Sequence, residues 1–79
     1  MSIEKMRKSM QKAGVYSEAD INEICKLEEA YLAECEAIAE ECVAEGYPSY
    51  GDNYELRCES ARTYYDEQIA DIDNKYNHQ

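Results

Sequence analysis

Two of the three glycines and the only proline of this 79-residue chain lie in one short segment, GYPSYG, at residues 46–51. Glycine and proline are the residues that most often interrupt helices and mark turns. On both sides of this segment, apolar residues recur at the three- and four-residue spacing of one helix face. The pattern therefore predicts two long helices that turn back on each other at residues 46–51, which is an antiparallel helical hairpin.

Capping residues and glycines predict where the helices begin and end. Gly14 is expected to stop a short first helix, because glycine readily adopts the left-handed conformation that ends helices. Ser17 and Asp52 are expected to cap the second and third helices. The predicted fold is all-α: a long antiparallel hairpin plus a short N-terminal helix, in one domain over residues 1–79. The three predicted helices span about 2–13, 17–45 and 52–76.

The predicted helices differ in length, so the hairpin cannot be covered evenly. The second helix, of about 28 residues, would be about 42 Å long, whereas the first has only about 12 residues. The first helix is expected to fold back over the near half of the second and to form a three-helix bundle there. The hairpin tip would then be a bare pair of helices that carries Tyr47, Tyr50 and Tyr54, which are candidate contact residues.

Charge is distributed unevenly along the chain. Residues 17–79 hold 17 acids and four bases, a net of −13, whereas residues 1–16 hold four bases and one acid, a net of +3. A surface this acidic repels nucleic acid and lipid headgroups, and it attracts basic protein surfaces. The charge therefore favours a protein-binding role over direct binding of nucleic acid or membranes.

Carboxylates on the second predicted helix are candidate contacts for a basic partner. Residues four apart on a helix lie about 6 Å apart along its axis, and DNA phosphates repeat on a comparable scale, about 3.4 Å of axis per strand. The acids could therefore occupy a basic groove that normally holds nucleic acid. The alternative is a solvated face that serves only solubility. The candidate partner-binding residues are Glu36, Glu40, Glu41, Tyr47, Tyr50, Tyr54 and Glu55.

The four cysteines do not follow a metal-binding pattern. They are separated by nine, six and fifteen residues, whereas zinc sites usually contain close pairs such as C-x2-C. Cys42 and Cys58 face each other across the predicted hairpin, so a disulfide is geometrically possible, although buried free thiols are the favoured interpretation. No catalytic constellation can be assembled from the sequence. We therefore expect no enzymatic activity, no cofactor and no metal.

In general character, the chain resembles the small acidic inhibitors that phages and mobile elements direct against host defence, such as anti-CRISPR and anti-restriction proteins. The resemblance rests on a short, acidic, helical chain without cofactor motifs, and it assigns no site residues. It implies a non-enzymatic inhibitor that blocks a basic, nucleic-acid-handling complex. The alternative is a homo-oligomeric hairpin adaptor, in which two protomers cover each other's open flanks.

No targeting segment is expected in this chain. Residues 1–11 contain no apolar run typical of a secretory signal. No stretch of the sequence approaches the roughly 20 apolar residues that span a bilayer. We therefore expect a cytoplasmic protein, which would act in the host cytoplasm if a phage encodes it.

Overall fold

The computed structural model describes residues 2–77. It contains three α-helices, α1 (Ile3–Ala13), α2 (Glu18–Ala44) and α3 (Asp52–Asn77). Helices α2 and α3 pack extensively against each other, and α1 lies against α2. The described residues contain no β-strand. The predicted all-α fold, a long hairpin with a short N-terminal helix, is therefore confirmed, and each observed helix end lies within one residue of its predicted position.

Local sequence signals set the ends of α1 and the start of α2. Ser2 and Ser17 are extended N-caps, and their side chains accept hydrogen bonds from the backbone N–H groups of Lys5 and Asp20. Each bond satisfies an N–H group that has no partner within its own helix. Gly14 ends α1 in the left-handed conformation, at a φ of 69°. The turn between the two helices is thus fixed on both sides by local interactions.

The core of the hairpin is thin and consists mainly of isoleucine and cysteine. The sequence contains no Phe and no Trp, so tyrosines supply all the aromatic packing. One example is the edge-to-face contact of Tyr31 and Tyr65, whose ring centroids are 6.4 Å apart across the two helices. The buried hydrophobic residues of the described chain are Ile21, Ile24, Cys25, Ile38, Cys42, Cys58 and Ile72.

Helix α1 covers less of the hairpin than we expected. It packs on α2, but in the described part of the chain its backbone does not approach that of α3. Its apolar residues Ile3, Met6 and Met10 are only half-buried. The ring of Tyr16, in the turn after α1, packs instead on Tyr76 of α3. The near end is therefore a helix lying on one face of the hairpin rather than a three-helix bundle.

Four side chains close the near end of the hairpin, and we call them the tyrosine clasp: Tyr16, Asp20, Asp73 and Tyr76. The hydroxyl of Tyr16 donates a hydrogen bond to Asp73, and that of Tyr76 donates to Asp20. The two rings meet edge to face at a centroid distance of 5.0 Å. Bonding to Asp73 raises the pKa of Tyr16. The clasp therefore ties the α1–α2 turn to the last turns of α3.

Ion pairs between α3 and the α2 side fix the register of the hairpin. Solvent-exposed ion pairs contribute little to stability, but the Arg62–Glu28 pair is partly buried, and the three pairs are spaced along the whole length of the helices. The first is near the tip, the second near the middle and the third near the clasp. The pairs are Arg57–Glu45 at 2.8 Å, Arg62–Glu28 at 2.7 Å and Lys75–Asp20 at 3.1 Å.

Candidate partner-binding surface

Exposed apolar side chains concentrate at the hairpin tip. Four of the seven large hydrophobic residues that are exposed in the described chain lie within or beside the α2–α3 connection. We call these four the tip surface: Val43, Tyr47, Tyr50 and Leu56. Tyr50 is the most exposed of them, at 71%. The rings of Tyr47 and Tyr50 offer a large contact area at low entropic cost, so they suit a binding surface.

The backbone of the connection is ordered by turn hydrogen bonds and by two glycines. The N–H of Tyr47 donates to the carbonyl of Cys42 at 2.8 Å, and the N–H of Gly46 donates to that of Val43 at 3.1 Å. Gly46 and Gly51 have φ angles of 90° and 92°, which residues with a side chain rarely adopt. The connection therefore holds Tyr47 and Tyr50 in place without burying them.

Two shallow grooves flank the tip surface. The first, which we call the α2 groove, has a volume of about 390 Å³ and an almost wholly apolar lining: Ala39, Glu40, Val43, Ala44 and Ser49. The second, the tyrosine groove, has a volume of about 500 Å³ and lies under the connection. It is lined by Tyr47, Pro48, Tyr50, Gly51, Asp52, Asn53 and Leu56.

The predicted acidic contacts are exposed. Glu40 lines the α2 groove, and Glu55 lies with Leu56 on the first turns of α3. Glu41 lies 3.9 Å from Arg57. Among the residues that the structure describes, Glu36, Glu40 and Glu55 form no ion pair. Their charges are therefore not neutralised within the described chain.

Tyr54 lies inside the hairpin rather than on the tip surface. Its ring is half-buried against the cluster of Ile38, Cys42 and Cys58, because position 54 shares with Cys58 the face of α3 that meets α2. A hydrogen bond with Cys58 raises the pKa of Tyr54 to about 12. Tyr54 therefore supports the tip from behind, whereas Tyr47 and Tyr50 are the exposed rings.

Two residues of the tip surface, Val43 and Leu56, were not among the predicted contacts. Val43 is 60% exposed and Leu56 is 64% exposed. A signal was available, because neither residue belongs to the apolar stripe of its helix. An apolar residue off the stripe must face solvent or a partner.

A row of tyrosines and thiols lies behind the tip surface. Burial, together with hydrogen bonding to Cys58, raises the pKa of the Cys35 thiol. A hydrogen bond with Cys35 likewise raises the pKa of Tyr31, whose ring lies 4.2 Å from the Arg62 guanidinium carbon. All four cysteines are free. A thiol whose pKa is raised stays protonated at neutral pH and is a poor nucleophile, so Cys35 is suited to packing rather than to nucleophilic chemistry.

The interior of the described chain offers no alternative site. Within residues 2–77, no group of three or more His, Cys, Asp or Glu side chains could hold a metal ion. Every buried side-chain nitrogen or oxygen in that range has a hydrogen-bond partner. None of the three helices is both long enough and apolar enough to cross a membrane. The tip surface and its two grooves are therefore the candidate site.

No family model matches the chain, and no curated protein or solved structure is significantly similar to it. What the molecule does must then be inferred from the tip surface, the two grooves and the charges around them.

Proposed function

We propose that the protein is a non-enzymatic, protein-binding inhibitor that blocks a basic, nucleic-acid-handling complex, as anti-CRISPR or anti-restriction proteins do. One observation carries this proposal: at the tip, exposed tyrosine rings lie together with carboxylates that form no ion pair among the described residues. Tyr47 and Tyr50 line the tyrosine groove with Asp52, and Glu40 lines the α2 groove. Tyrosine is enriched in protein interfaces, and unpaired carboxylates attract a basic partner.

The charge near the tip supports a basic partner. From Leu32 to Glu45 the chain contains five acids and no base. Carboxylates at this density sum to a field that speeds encounter with basic surfaces and disfavours acidic ones. The Debye length is about 8 Å at physiological ionic strength, so the field acts mainly on a partner already near the surface. Association should therefore be fast at low salt and slow at high salt.

A groove that holds nucleic acid is the kind of basic surface that this arrangement suits. Such grooves present Lys and Arg side chains to phosphates along the strand. Glu36 and Glu40 lie one helical turn apart, about 6 Å along the axis. Carboxylates at this spacing can pair with the Lys and Arg side chains that otherwise contact phosphates. The inhibitor would then act stoichiometrically in the host cytoplasm, by excluding nucleic acid from its site.

The first test is retrieval of the partner with the tagged protein from a bacterial lysate that contains defence systems. Mass spectrometry would identify the retained complex, which should be released by rising salt and by its own nucleic acid. Retention that nucleic acid cannot compete would contradict the proposal. Retrieval of this chain alone would contradict it as well.

Matched charge reversals then test the acidic contacts. Reversing Glu36 and Glu40 to Lys should slow association with the retrieved complex about tenfold, because steering is lost. The control reverses Glu67 and Asp71 to Lys, which changes the charge equally at exposed positions far from the tip. Equal slowing by both pairs would mean that net charge, and not the tip, directs binding.

The second candidate is a homo-oligomeric hairpin adaptor whose acidic surface is only solvated. It is favoured by exposed apolar residues away from the tip, since Leu32 is 50% exposed and Tyr64 is 60% exposed. Two protomers could cover these residues against each other. Sedimentation velocity separates the candidates: a dimer that persists at high salt supports the adaptor, and a monomer contradicts it.

A further inference from the structure

We infer that the partner presents a basic, amphipathic α-helix, and that this helix docks in the α2 groove, end to end with α1. The inference rests on the proposed function, because it names the element of the basic partner that the acidic surface holds. Four features carry it: the position of α1 on α2, the point at which α1 ends, the chemistry beyond that point, and the charge of α2.

Helix α1 already occupies one side of α2. Arg7 donates a hydrogen bond to the Asn22 side chain, and Gln11 donates to Glu18 at 3.1 Å. At 100° per residue, Asn22 and Glu18 lie on the side of α2 that also carries Ile21. The same row continues along the helix at three- and four-residue steps. We call it the α1-side row of α2: Ile21, Cys25, Glu29, Leu32, Glu36, Ala39 and Val43.

The hydrogen bonds show where α1 ends on this row. Residues 11 and 7 of α1 face residues 18 and 22 of α2, so the first residue of α1, Ile3, faces about residue 26. Helix α2 runs on to Ala44, which leaves about 27 Å of the row without a helix beside it. Burial changes accordingly: Ile21 is 1% exposed, whereas Val43 is 60% exposed.

The uncovered half of the row has the chemistry that α1 meets in the covered half. It presents Leu32, Ala39 and Val43 as an apolar strip, with Glu29 and Glu36 as its charged members and Glu40 beside it. Helix α1 complements such a surface, because it combines an Ile/Met face with four bases and one acid, a net of +3. Small residues in the α2 groove allow a second helix to approach closely. A partner helix of about 18 residues, with an apolar stripe and Lys or Arg flanks, would fill the available length.

A second copy of this chain is a poor occupant, because its basic α1 is already packed on its own α2 and its α2 is acidic. Helix α2 contains nine acids and one base, so the α2 helices of two copies would repel each other if they met along this row. A helix with Lys or Arg flanks would instead be attracted by the carboxylates of α2. The α2 groove is therefore suited to a partner whose helix resembles α1 in chemistry.

The test uses a fluorescent peptide with the sequence of residues 2–16, which carries the α1 chemistry, and measures its binding by polarisation. We expect saturable one-to-one binding that weakens as salt rises, with backbone amide shifts in residues 32–44 by NMR. Val43→Lys places a base in the groove and should weaken binding about tenfold or more. Tyr64→Lys is the matched control, at a residue of α3 that is 60% exposed, as Val43 is, and that lies outside the tip surface; it should change binding less than about twofold. Circular dichroism would show that both variants remain helical.

Four results would overturn the inference. The first is the absence of saturable binding, and the second is equal weakening by Val43→Lys and Tyr64→Lys. The third is amide shifts confined to residues 18–25, which would mean that the peptide only displaces α1. The fourth is a dimer that Val43→Lys dissociates, which would mean that a second copy covers this face.

Failure of this inference can be distinguished from failure of the proposed function. If the retrieved complex depends on Tyr50 but not on Val43, the groove inference is wrong and the inhibitor proposal stands. If the peptide binds in a Val43-dependent way but no nucleic-acid-competed complex is retrieved, the groove stands and the inhibitor proposal is wrong.

Discussion

At the near end of the hairpin, Tyr16 and Tyr76 fasten three segments of the chain together, whereas at the tip Tyr47 and Tyr50 point into solvent. The clasp hydroxyls donate to Asp73 and Asp20, and the clasp rings stack edge to face. The tip rings are 47% and 71% exposed. Tyrosine side chains therefore link segments of the chain at the near end, whereas at the tip they form an exposed surface.

The acids differ between the two ends in the same way. Asp20 accepts hydrogen bonds from Tyr76 and Lys75, whereas Glu36 and Glu40 make no side-chain ion pair with the residues that the structure describes. A carboxylate that is already paired with neighbouring groups has little left to offer a partner. Residue type alone thus says little about role here, and the partners that each side chain already has say much more.

The largest expected contrast between the ends concerns burial. Ile21→Ala removes a side chain that is 1% exposed and should cost about 2–4 kcal/mol. A core of this size supplies only about 3–5 kcal/mol in total, so the variant should keep only a small margin of stability. Val43→Ala should cost less than about 0.5 kcal/mol. Urea unfolding followed by circular dichroism measures both, and similar midpoints would break the comparison.

The next contrast concerns the tyrosine hydroxyls. Tyr16→Phe removes the hydrogen bond to Asp73 and should destabilise the fold by about 1 kcal/mol. Tyr50→Phe should leave stability unchanged, because its hydroxyl forms no side-chain hydrogen bond within residues 2–77. Tyr50→Ala should instead weaken partner binding. Equal unfolding midpoints for the two Phe variants would show that the clasp contributes nothing.

Backbone conformation sharpens the comparison further. Gly14 and Gly51 both have positive φ angles, 69° and 92°, and open space where a Cβ would be placed. Replacing either by Ala should cost about 1 kcal/mol through backbone strain alone. Only Gly51→Ala should also weaken partner binding, because it shifts the adjacent Tyr50. If Gly14→Ala weakens binding as much, the tip is not the binding surface.

The smallest expected effect is a dependence on pH. Hydrogen bonds from Tyr76 and then Lys75 hold the pKa of Asp20 below its ordinary value of 3.8. A depressed pKa stabilises the fold above the unfolded-state pKa, and this stabilisation is lost as pH falls through the folded-state pKa. The wild type should therefore have a higher free energy of unfolding than Asp20→Asn. This difference should be constant near neutral pH and should decrease below about pH 4.

Urea midpoints measured across this pH range would test the prediction. The matched control is Glu36→Gln, at a carboxylate that forms no ion pair in the described chain. The free energy of unfolding of this variant should stay close to that of the wild type throughout the range. If the difference in the free energy of unfolding between the wild type and Asp20→Asn increases in acid, the pKa of Asp20 is raised on folding and the prediction is wrong.

The ends of the helices could be predicted from the sequence, because the residues that start and stop a helix act locally. Ser17 and Gly14 act within a few residues, through caps that any helix of this sequence would use. The side chains that point inward depend instead on contacts between distant residues. Tyr16 meets Asp73, 57 positions away, and the orientation of Tyr54 follows from the register of α3 on α2. No spacing rule within one helix contains that information.

The reactivity of the buried thiols can also be used to measure how often the helices separate locally. Cys25 lies near the clasp and Cys42 near the tip, and they are 1% and 0% exposed. An alkylating reagent can reach such a thiol only when the surrounding helices separate. The rate at which each of the two cysteines is modified therefore measures how often its own end of the hairpin comes apart. If Cys42 is labelled before Cys25, the tip of the hairpin opens more often than the near end.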